Sequence, residues 1–403
     1  MPRPLLEVAD IFRIHGPGYR EKNALSPEQS RVMRAIEMCR TAALGGHVDR
    51  CNKCGHQVIS YNSCRNRHCP KCQSLAKAQW FLARRDETLP VQYYHVVFTI
   101  PDLLTPLALQ NKQTIYDLLF RTASQALLRI AAKPKHLGAH IGFLVILHTW
   151  GQNLMHHPHL HCIVPGGGLS PDHKQWISCR KGFFLPVRVL SRFYRRLFLK
   201  VLQNLYREGK LEFYGNLQPL SEPKNFEQLL KSAQSTEWVV YAKPPFAGPE
   251  KVLDYLSRYT HRVAISNHRL RHLDNDQVSF QWRDYRNGNT KRMMTLKAEE
   301  FIRRFLFHVL PEGYVRIRYY GFLANCHRSR MLKLIRTLLN VEQPPENKSP
   351  ETTDWAVLFQ SLTGIDPLLC PKCRKGRLVT IEFLPPLLTP YVSLRAPPGV
   401  GIS

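Results

Sequence analysis

The chain has few acidic residues for its size and no long apolar run. Its 403 residues include 30 Asp and Glu against 57 Lys and Arg, a formal net charge of +27. An excess that large favours a polyanionic partner, because each Lys or Arg placed on a phosphate releases condensed counterions. No stretch approaches the roughly 18 apolar residues that span a bilayer. The N-terminus also lacks the apolar segment of a signal peptide. We therefore expect a cytoplasmic protein that binds nucleic acid and not a membrane.

Cysteines are abundant, with eleven in the chain, and five of them lie between positions 51 and 72. Without a secretion signal, such clustering favours metal ligands and free thiols over disulfides. Cys51 and Cys54 form one Cys-x-x-Cys pair, and Cys69 and Cys72 form another after a spacer of fourteen residues. Four thiolates so arranged can occupy the corners of one tetrahedral zinc site. The sequence therefore predicts a structural zinc ion on these four cysteines.

Other residues of the same segment leave the ligand set open. Cys64 and His68 could replace a member of that set or contribute to a second ion. Arg65 and Arg67 lie among the cysteines, and a zinc-folded segment could present them to nucleic acid. A further pair, Cys370-Pro-Lys-Cys373, resembles half a zinc site without an evident partner.

Histidines are concentrated between positions 148 and 165, which hold five of the 18 in the chain. His159 and His161 flank Leu160 in a run typical of a β-strand. Alternate side chains of a strand project to the same face, so both imidazoles could contact one metal ion. The same pattern also occurs in ordinary protein cores.

A pair of tyrosines follows about ninety residues later. Pro249 near a preceding glycine predicts a helix start, and Tyr255 and Tyr259 would stand one turn apart on that helix. An apolar stripe on the same helix is also consistent with plain core packing. However, Arg258 and Arg262 lie beside the tyrosines, and no acidic residue occurs from position 258 to 272. This environment favours contact with phosphate.

The order His-hydrophobe-His and then Tyr-x-x-x-Tyr resembles the HUH endonucleases. It is most similar to the two-tyrosine rolling-circle transposases of bacterial insertion sequences. The resemblance extends to the cysteine-rich segment 64–72 and to the runs 95–101 and 318–323. It covers about residues 10–335.

The resemblance implies a specific chemistry. His159 and His161 would hold Mg²⁺ or Mn²⁺, with Gln152 as a candidate third ligand that supplies oxygen. Tyr255 or Tyr259 would attack the DNA phosphate and form a 5′-phosphotyrosine with a free 3′-hydroxyl. The partner would be single-stranded or hairpin ends of a mobile element, which implies a place at the bacterial nucleoid.

The same resemblance, with the periodicity of the chain, predicts an α+β fold in which helices flank a central, mainly antiparallel sheet. We expect a zinc-binding, DNA-recognition domain over 1–90 and an HUH nuclease core over 91–272. A basic hairpin-and-helix extension over 273–340 would complete the core and bring Arg328 to DNA. A linker and a partly disordered tail would occupy 341–403.

Three other readings use some of the same residues. A replication initiator or a conjugative relaxase of the HUH type would share the active site, although the cysteine-rich segment before the histidines favours a transposase. A zinc-finger regulator would bind DNA without an active site. A histidine-cluster metallohydrolase would turn over substrate without a protein–DNA adduct.

Overall fold

The structure is a computed structural model that describes residues 4–72, 80, 84, 87–243, 264–284, 287–343, 356–357, 359–360 and 364–387. Its helices are α1 (Val8–Lys22), α2 (Pro27–Met38), α3 (Thr105–Gln110), α4 (Lys112–Ala131), α5 (Val187–Arg207), α6 (Pro223–Ser235), α7 (Ala298–Phe307) and α8 (Arg328–Leu338). Its strands are β1 (Gly46–Cys51), β2 (Gln57–Tyr61), β3 (Tyr93–Thr99), β4 (Gly142–Trp150), β5 (His156–Pro165), β6 (Gly167–Leu169), β7 (Trp176–Ser178), β8 (Val240–Lys243), β9 (Leu270–Asp274), β10 (Gln277–Asp284), β11 (Thr290–Lys297), β12 (Ile317–Gly321) and β13 (Leu378–Leu384). Among the described residues, no helix is both long enough and apolar enough to cross a membrane.

The centre of the molecule is a five-stranded sheet with the order β12-β4-β5-β3-β8. Every neighbouring pair of its strands is antiparallel. Strand β4 is buried at every position except Trp150, because it is covered on both faces. The predicted α+β fold with a mainly antiparallel central sheet is therefore confirmed.

Helices cover one face of this sheet. Leu147 of β4 pairs with Leu160 of β5, and both enter a large apolar core with α4 and α5. In that core, Tyr194 of α5 packs edge-on against Phe98 of β3, with ring centroids 5.1 Å apart. Since strand side chains alternate, the neighbours of these leucines, His148 and His161, project from the opposite face.

A second core is shared by two segments that the sequence analysis assigns to different domains. Helices α1 and α2 pack there with β9, β10 and α7. Phe12 of α1 lies edge-on to Phe305 of α7, with ring centroids 5.2 Å apart. The N-terminal segment thus shares its interior with residues 264–309, which the sequence alone assigns to separate units.

The C-terminal region also returns to the N-terminal segment. Strand β13 pairs with β1, which lies between β13 and β2 in a three-stranded antiparallel sheet. The hydroxyl of Thr380 donates a hydrogen bond of 2.7 Å to the carboxylate of Asp49. Residues 364–387 are thus folded within the region 341–403, where the sequence predicts a linker and a partly disordered tail. Residues 344–355 and 388–403 lie outside the described residues.

Two neutral histidines are buried where the central sheet meets the second core. Nε2 of His308 lies 3.0 Å from the carbonyl oxygen of Leu154, and its Nδ1 lies 3.2 Å from the hydroxyl of Thr149. Nε2 of His156 and the hydroxyl of Tyr116 form a hydrogen bond of 2.7 Å. Burial lowers the pKa of both imidazoles from 6.5 to about 3.

We predict that these histidines make the fold sensitive to acid. Between pH 6.5 and 3 the unfolded chain binds a proton at each histidine that the folded chain does not. Stability therefore falls as the pH falls, by about 1.4 kcal/mol per pH unit for each histidine. The free energy of unfolding, measured with urea from pH 6.5 to pH 4.5, should fall less steeply with pH in the His308→Gln variant. The difference in slope should equal the contribution of one histidine.

His268→Gln, at an exposed position, is the matched control and should keep the slope of the unsubstituted protein. Parallel curves for His308→Gln and the unsubstituted protein would contradict this prediction.

Candidate active site and metal centres

Three imidazoles converge on the face of the sheet opposite to α4 and α5. They belong to His148 on β4 and to His159 and His161 on β5, and one ring nitrogen of each lies within 4.8 Å of the others. His148 is the direct cross-strand partner of His159. Such a set of closely spaced nitrogen ligands, two of them buried, can hold one metal ion.

Hydrogen bonds orient two of these rings. Nδ1 of His159 lies 2.7 Å from the carbonyl oxygen of His157, so it must carry the proton and donate it. Nδ1 of His161 lies 2.7 Å from Nε2 of His95 on β3, and the two rings are stacked with centroids 4.9 Å apart. When His161 donates in that bond, both β5 histidines present the lone pair of Nε2. A ring partner of this kind is typical of histidines that bind metals.

A third histidine lies beside the predicted pair. The sequence proposes Gln152, which lies in the turn between β4 and β5, and its backbone carbonyl accepts a hydrogen bond from Arg269. The structure groups His148 with the His159 and His161 pair. The sequence could have identified His148, because a short turn after Trp150 places it opposite His159 in an antiparallel hairpin.

The tyrosine pair, Tyr255 and Tyr259, lies outside the described residues, as do Arg258 and Arg262. The described chain stops at Lys243, which is the cross-strand partner of His95. It resumes at Ala264, which lines the same small cavity as Trp150 and His308. Trp150 in turn stacks on His148 with ring centroids 4.6 Å apart.

The first cysteine cluster consists of Cys39, Cys64, Cys69 and Cys72, whose sulfurs all lie within 4.8 Å of one another. The sulfur of Cys72 lies 3.4 Å from that of Cys39 and 3.6 Å from that of Cys64. Tetrahedral zinc with bonds of about 2.3 Å places its sulfurs about 3.8 Å apart, whereas a disulfide would bring them to about 2.05 Å. The cluster therefore has the dimensions of a four-thiolate zinc site.

The second cluster consists of Cys51, Cys54, Cys370 and Cys373. The sulfur of Cys51 lies 3.7 Å from that of Cys373, and Cys54 lies 3.7 Å from Cys370. The apparent half-site at the C-terminal end thus has its partner in the N-terminal segment.

This grouping corrects the predicted set of Cys51, Cys54, Cys69 and Cys72. Strand β2 returns antiparallel to β1, which carries the chain about 17 Å away from Cys51 before it reaches the later cysteines. There the backbone N–H of Arg40, next to Cys39, donates to the carbonyl of Asn62 at 3.0 Å. Cys39 is therefore the residue that sequence reasoning missed, because no second cysteine near it marks it as a ligand.

The other residues expected near zinc or DNA are placed as follows. Nε2 of His68 accepts the backbone N–H of Leu310 at 3.3 Å, and the cluster of Cys64 does not include it. Arg67 donates to the backbone carbonyls of Tyr314 and Pro311 and so supports the fold. Arg328 forms an ion pair of 3.2 Å with Glu87, whereas Arg65 is exposed and available to a partner.

Comparisons with known proteins match both parts of the chain. Residues 11–100 match the family model described as "Transposase zinc-binding domain", and residues 142–330 match the one described as "Putative transposase". The chain is 56% identical to "Putative transposase y4qJ" of Sinorhizobium fredii (strain NBRC 101917 / NGR234) over 384 residues, 95% of this chain and 96% of that protein. It is 26% identical to "Transposase for insertion sequence element IS801" of Pseudomonas savastanoi pv. phaseolicola over 366 residues, 89% of this chain and 85% of that one.

Among solved structures, the conjugative relaxase TrwC in complex with OriT DNA matches at 12% identity with a TM-score of 0.24, over 41% of this chain and 71% of that one. That likeness is too distant to carry an argument.

An antiparallel sheet with a His-x-His pair on a central strand, joined to a cysteine-rich module, defines the class as an HUH-type DNA transposase with an N-terminal zinc-binding domain. The chain belongs to the family of rolling-circle insertion-sequence transposases that includes the two relatives above. It is accordingly a DNA endonuclease and strand transferase, as the resemblance predicts. Its cysteine clusters and zinc-binding domain identify structural zinc as a component of the protein.

We predict that Cys39 is needed to retain zinc. Replacing Cys39 with Ser removes one of the four thiolates of the first cluster, so the variant should release about one zinc ion per chain to a chromogenic chelator that leaves the unsubstituted protein intact.

Cys162→Ser is the control, because Cys162 is equally buried but lies in the apolar core outside both clusters. Full retention of zinc by Cys39→Ser would exclude Cys39 as a ligand.

Proposed function

We propose that this transposase cuts and rejoins single-stranded DNA ends through a 5′-phosphotyrosine on Tyr255 or Tyr259, with Mg²⁺ or Mn²⁺ at His148, His159 and His161. The observation that carries the proposal is the convergence of the three imidazoles on the face of the sheet opposite to α4 and α5. The opposite face of the same strands packs leucine and valine into the large core.

The donor set fits a divalent cation. Nδ1 of His159 donates to a carbonyl, which directs the lone pair of its Nε2 towards the common centre. His161 does the same when its Nδ1 donates to His95. Imidazole suits Mn²⁺ better than Mg²⁺, so we expect higher activity with Mn²⁺. When bound, the cation would polarise an oxygen of the scissile phosphate and offset the charge that develops there.

The described residues on either side of the tyrosine segment lie near the triad. Lys243 pairs with His95, whose ring contacts His161. Ala264 lies at a cavity shared with Trp150, whose ring stacks on His148. We therefore propose that the tyrosines between these two residues bring their phenols to a phosphate bound at the triad.

Cleavage and rejoining of the DNA strand need no nucleotide cofactor. The phenol oxygen of the tyrosine forms a bond to phosphorus and loses its proton, and the bond from phosphorus to the 3′-oxygen breaks to give a 3′-hydroxyl. The phosphotyrosine ester conserves the energy of the broken bond, so a later 3′-hydroxyl can reverse the step and join strands. Two tyrosines permit one strand end to be held while another is cut.

The net charge of the chain and an exposed arginine support DNA as the partner. The net charge of +27 favours a phosphate backbone, and Arg65 is exposed in the cysteine-rich segment. We propose that this segment recognises single-stranded or hairpin ends of the mobile element at the bacterial nucleoid.

The decisive test is a denaturing gel of protein incubated with single-stranded end DNA and Mn²⁺. A protein-linked DNA fragment should form, and it should disappear in the double variant Tyr255→Phe, Tyr259→Phe. His159→Ala should reduce its formation at least about a hundredfold, as expected for removal of charge stabilisation at the transition state.

His140→Ala, at an exposed histidine outside the triad, should form the adduct at the normal rate. Cleavage without any adduct would favour a metallohydrolase. DNA binding that is intact in a protein unable to cut would favour a regulator.

A further inference from the structure

We propose that Cys51, Cys54, Cys370 and Cys373 bind a second zinc ion, which fastens residues 364–387 to the N-terminal DNA-recognition segment. Cys54 and Cys370 are separated by 316 residues in sequence, yet their sulfurs lie 3.7 Å apart. The zinc-binding domain that the family comparison matches ends at residue 100 and contains only half of these ligands.

The two Cys-x-x-Cys turns have the hydrogen bonds of metal-binding thiolates. The sulfur of Cys51 accepts the backbone N–H groups of Lys53 at 3.4 Å and Cys54 at 3.5 Å. The sulfur of Cys373 accepts the N–H of Gly376 at 3.3 Å. Such donors stabilise negative charge on sulfur, which is the form that binds zinc.

A glycine permits the two turns to close on each other. A Cβ atom added to Gly376 would lie 2.4 Å from the sulfur of Cys51 and 2.9 Å from the side-chain oxygen of Asn52. Any larger residue at this position would separate the two halves of the cluster.

Backbone hydrogen bonds continue the contact beyond the sulfurs. The N–H of Asn52 donates to the carbonyl of Arg377 at 3.0 Å, and the N–H of Arg377 donates to the side-chain oxygen of Asn52 at 2.9 Å. Strand β13 then pairs with β1 as far as Gly46. The cluster therefore lies at one end of an extended, specific interface between the two ends of the chain.

Zinc stoichiometry tests the second centre directly. The full-length protein should contain two zinc ions per chain, and the double variant Cys370→Ser, Cys373→Ser should contain one. Cys326→Ser, at an exposed cysteine outside both clusters, should still contain two. Retention of two ions by the double variant, or a single ion in the unsubstituted protein, would overturn the proposal.

A nicked chain tests the fastening without a substitution at sulfur. A protease site inserted between residues 344 and 350, then cut, should leave the C-terminal fragment bound to the rest while zinc is present. A strong zinc chelator should release it. Separation of the fragment in the presence of zinc, or its retention after complete removal of zinc, would contradict the fastening role. Neither readout requires DNA cleavage, so the result is independent of the proposed nuclease chemistry.

A basic groove between α4, α5 and α6 carries a second inference. We infer that it holds the backbone of duplex DNA that flanks the cleaved strand, which rests on the proposed function. The groove has a volume of about 720 Å³, and its lining includes one acid, Glu227, and six cations: Lys133, Arg192, Arg195, Arg196, Lys200 and Lys231.

The charge of this groove is not compensated within the described part of the chain, where none of the six cations forms an ion pair. A phosphate backbone would relieve their mutual repulsion. The one aromatic ring in the lining, Phe193, is covered by the guanidinium of Arg196 at 5.5 Å. Without an open ring for bases to stack on, the groove favours a duplex over a single strand.

The location of the groove separates it from the active site. Helix α5 packs through Tyr194 and Phe198 onto the face of the sheet opposite to the histidine triad. DNA in the groove would therefore be a segment away from the phosphate that is cut.

The triple variant Arg192→Gln, Arg195→Gln, Lys200→Gln tests this assignment. The slope of log K against log salt for duplex end DNA should become less steep by about 2 to 3, because each lost phosphate contact removes about 0.9. Cleavage of a short single-stranded substrate should be unchanged, which separates this outcome from failure of the nuclease proposal.

Lys22→Gln, Arg31→Gln, Lys210→Gln is the matched control, since these three cations are exposed but already form ion pairs. Equal salt slopes for the two triple variants would overturn the assignment.

Discussion

The antiparallel pairing of β4 with β5 is the constraint on which the rest of the site depends. Its register places Leu147 opposite Leu160 on one face and His148 opposite His159 on the other. One face is thereby committed to α4 and α5 and to the largest core of the protein. The other carries the histidines beside a smaller apolar cluster, and a shift of a single residue would exchange the two sets of side chains.

The histidine face is supported from three directions. β3 supplies His95, which orients His161. The turn between β4 and β5 inserts Leu154 into the second core, together with α1 and α7. Buried His308 holds that turn through the carbonyl of Leu154. The triad is therefore attached to the N-terminal segment through packing, so the zinc-binding part and the nuclease part share an interior.

Local patterns predicted much of this fold and part of its site. The alternation around Leu160 was sufficient to place two histidines on one face, since strand periodicity is a property of neighbouring residues. His148 required the register of a hairpin, and Cys39 and Cys370 required contacts between segments far apart in sequence. The spacing of cysteines within a motif does not contain such long-range information. The sequence therefore predicts a single zinc site from cysteines that belong to two clusters. Arg67 shows the same limit, because the carbonyls that bind it belong to residues 311 and 314.

The pairing of β13 with β1 has a consequence for synthesis of the protein. The middle strand of the N-terminal sheet lacks one neighbour until residues 378–384 have left the ribosome. At about 5 to 20 residues per second, that delay is on the order of half a minute. During this interval β1 is an unprotected edge that is open to unwanted strand pairing. The module at the start of the chain is thus among the last parts to be finished, and a copy truncated before residue 378 would never finish it.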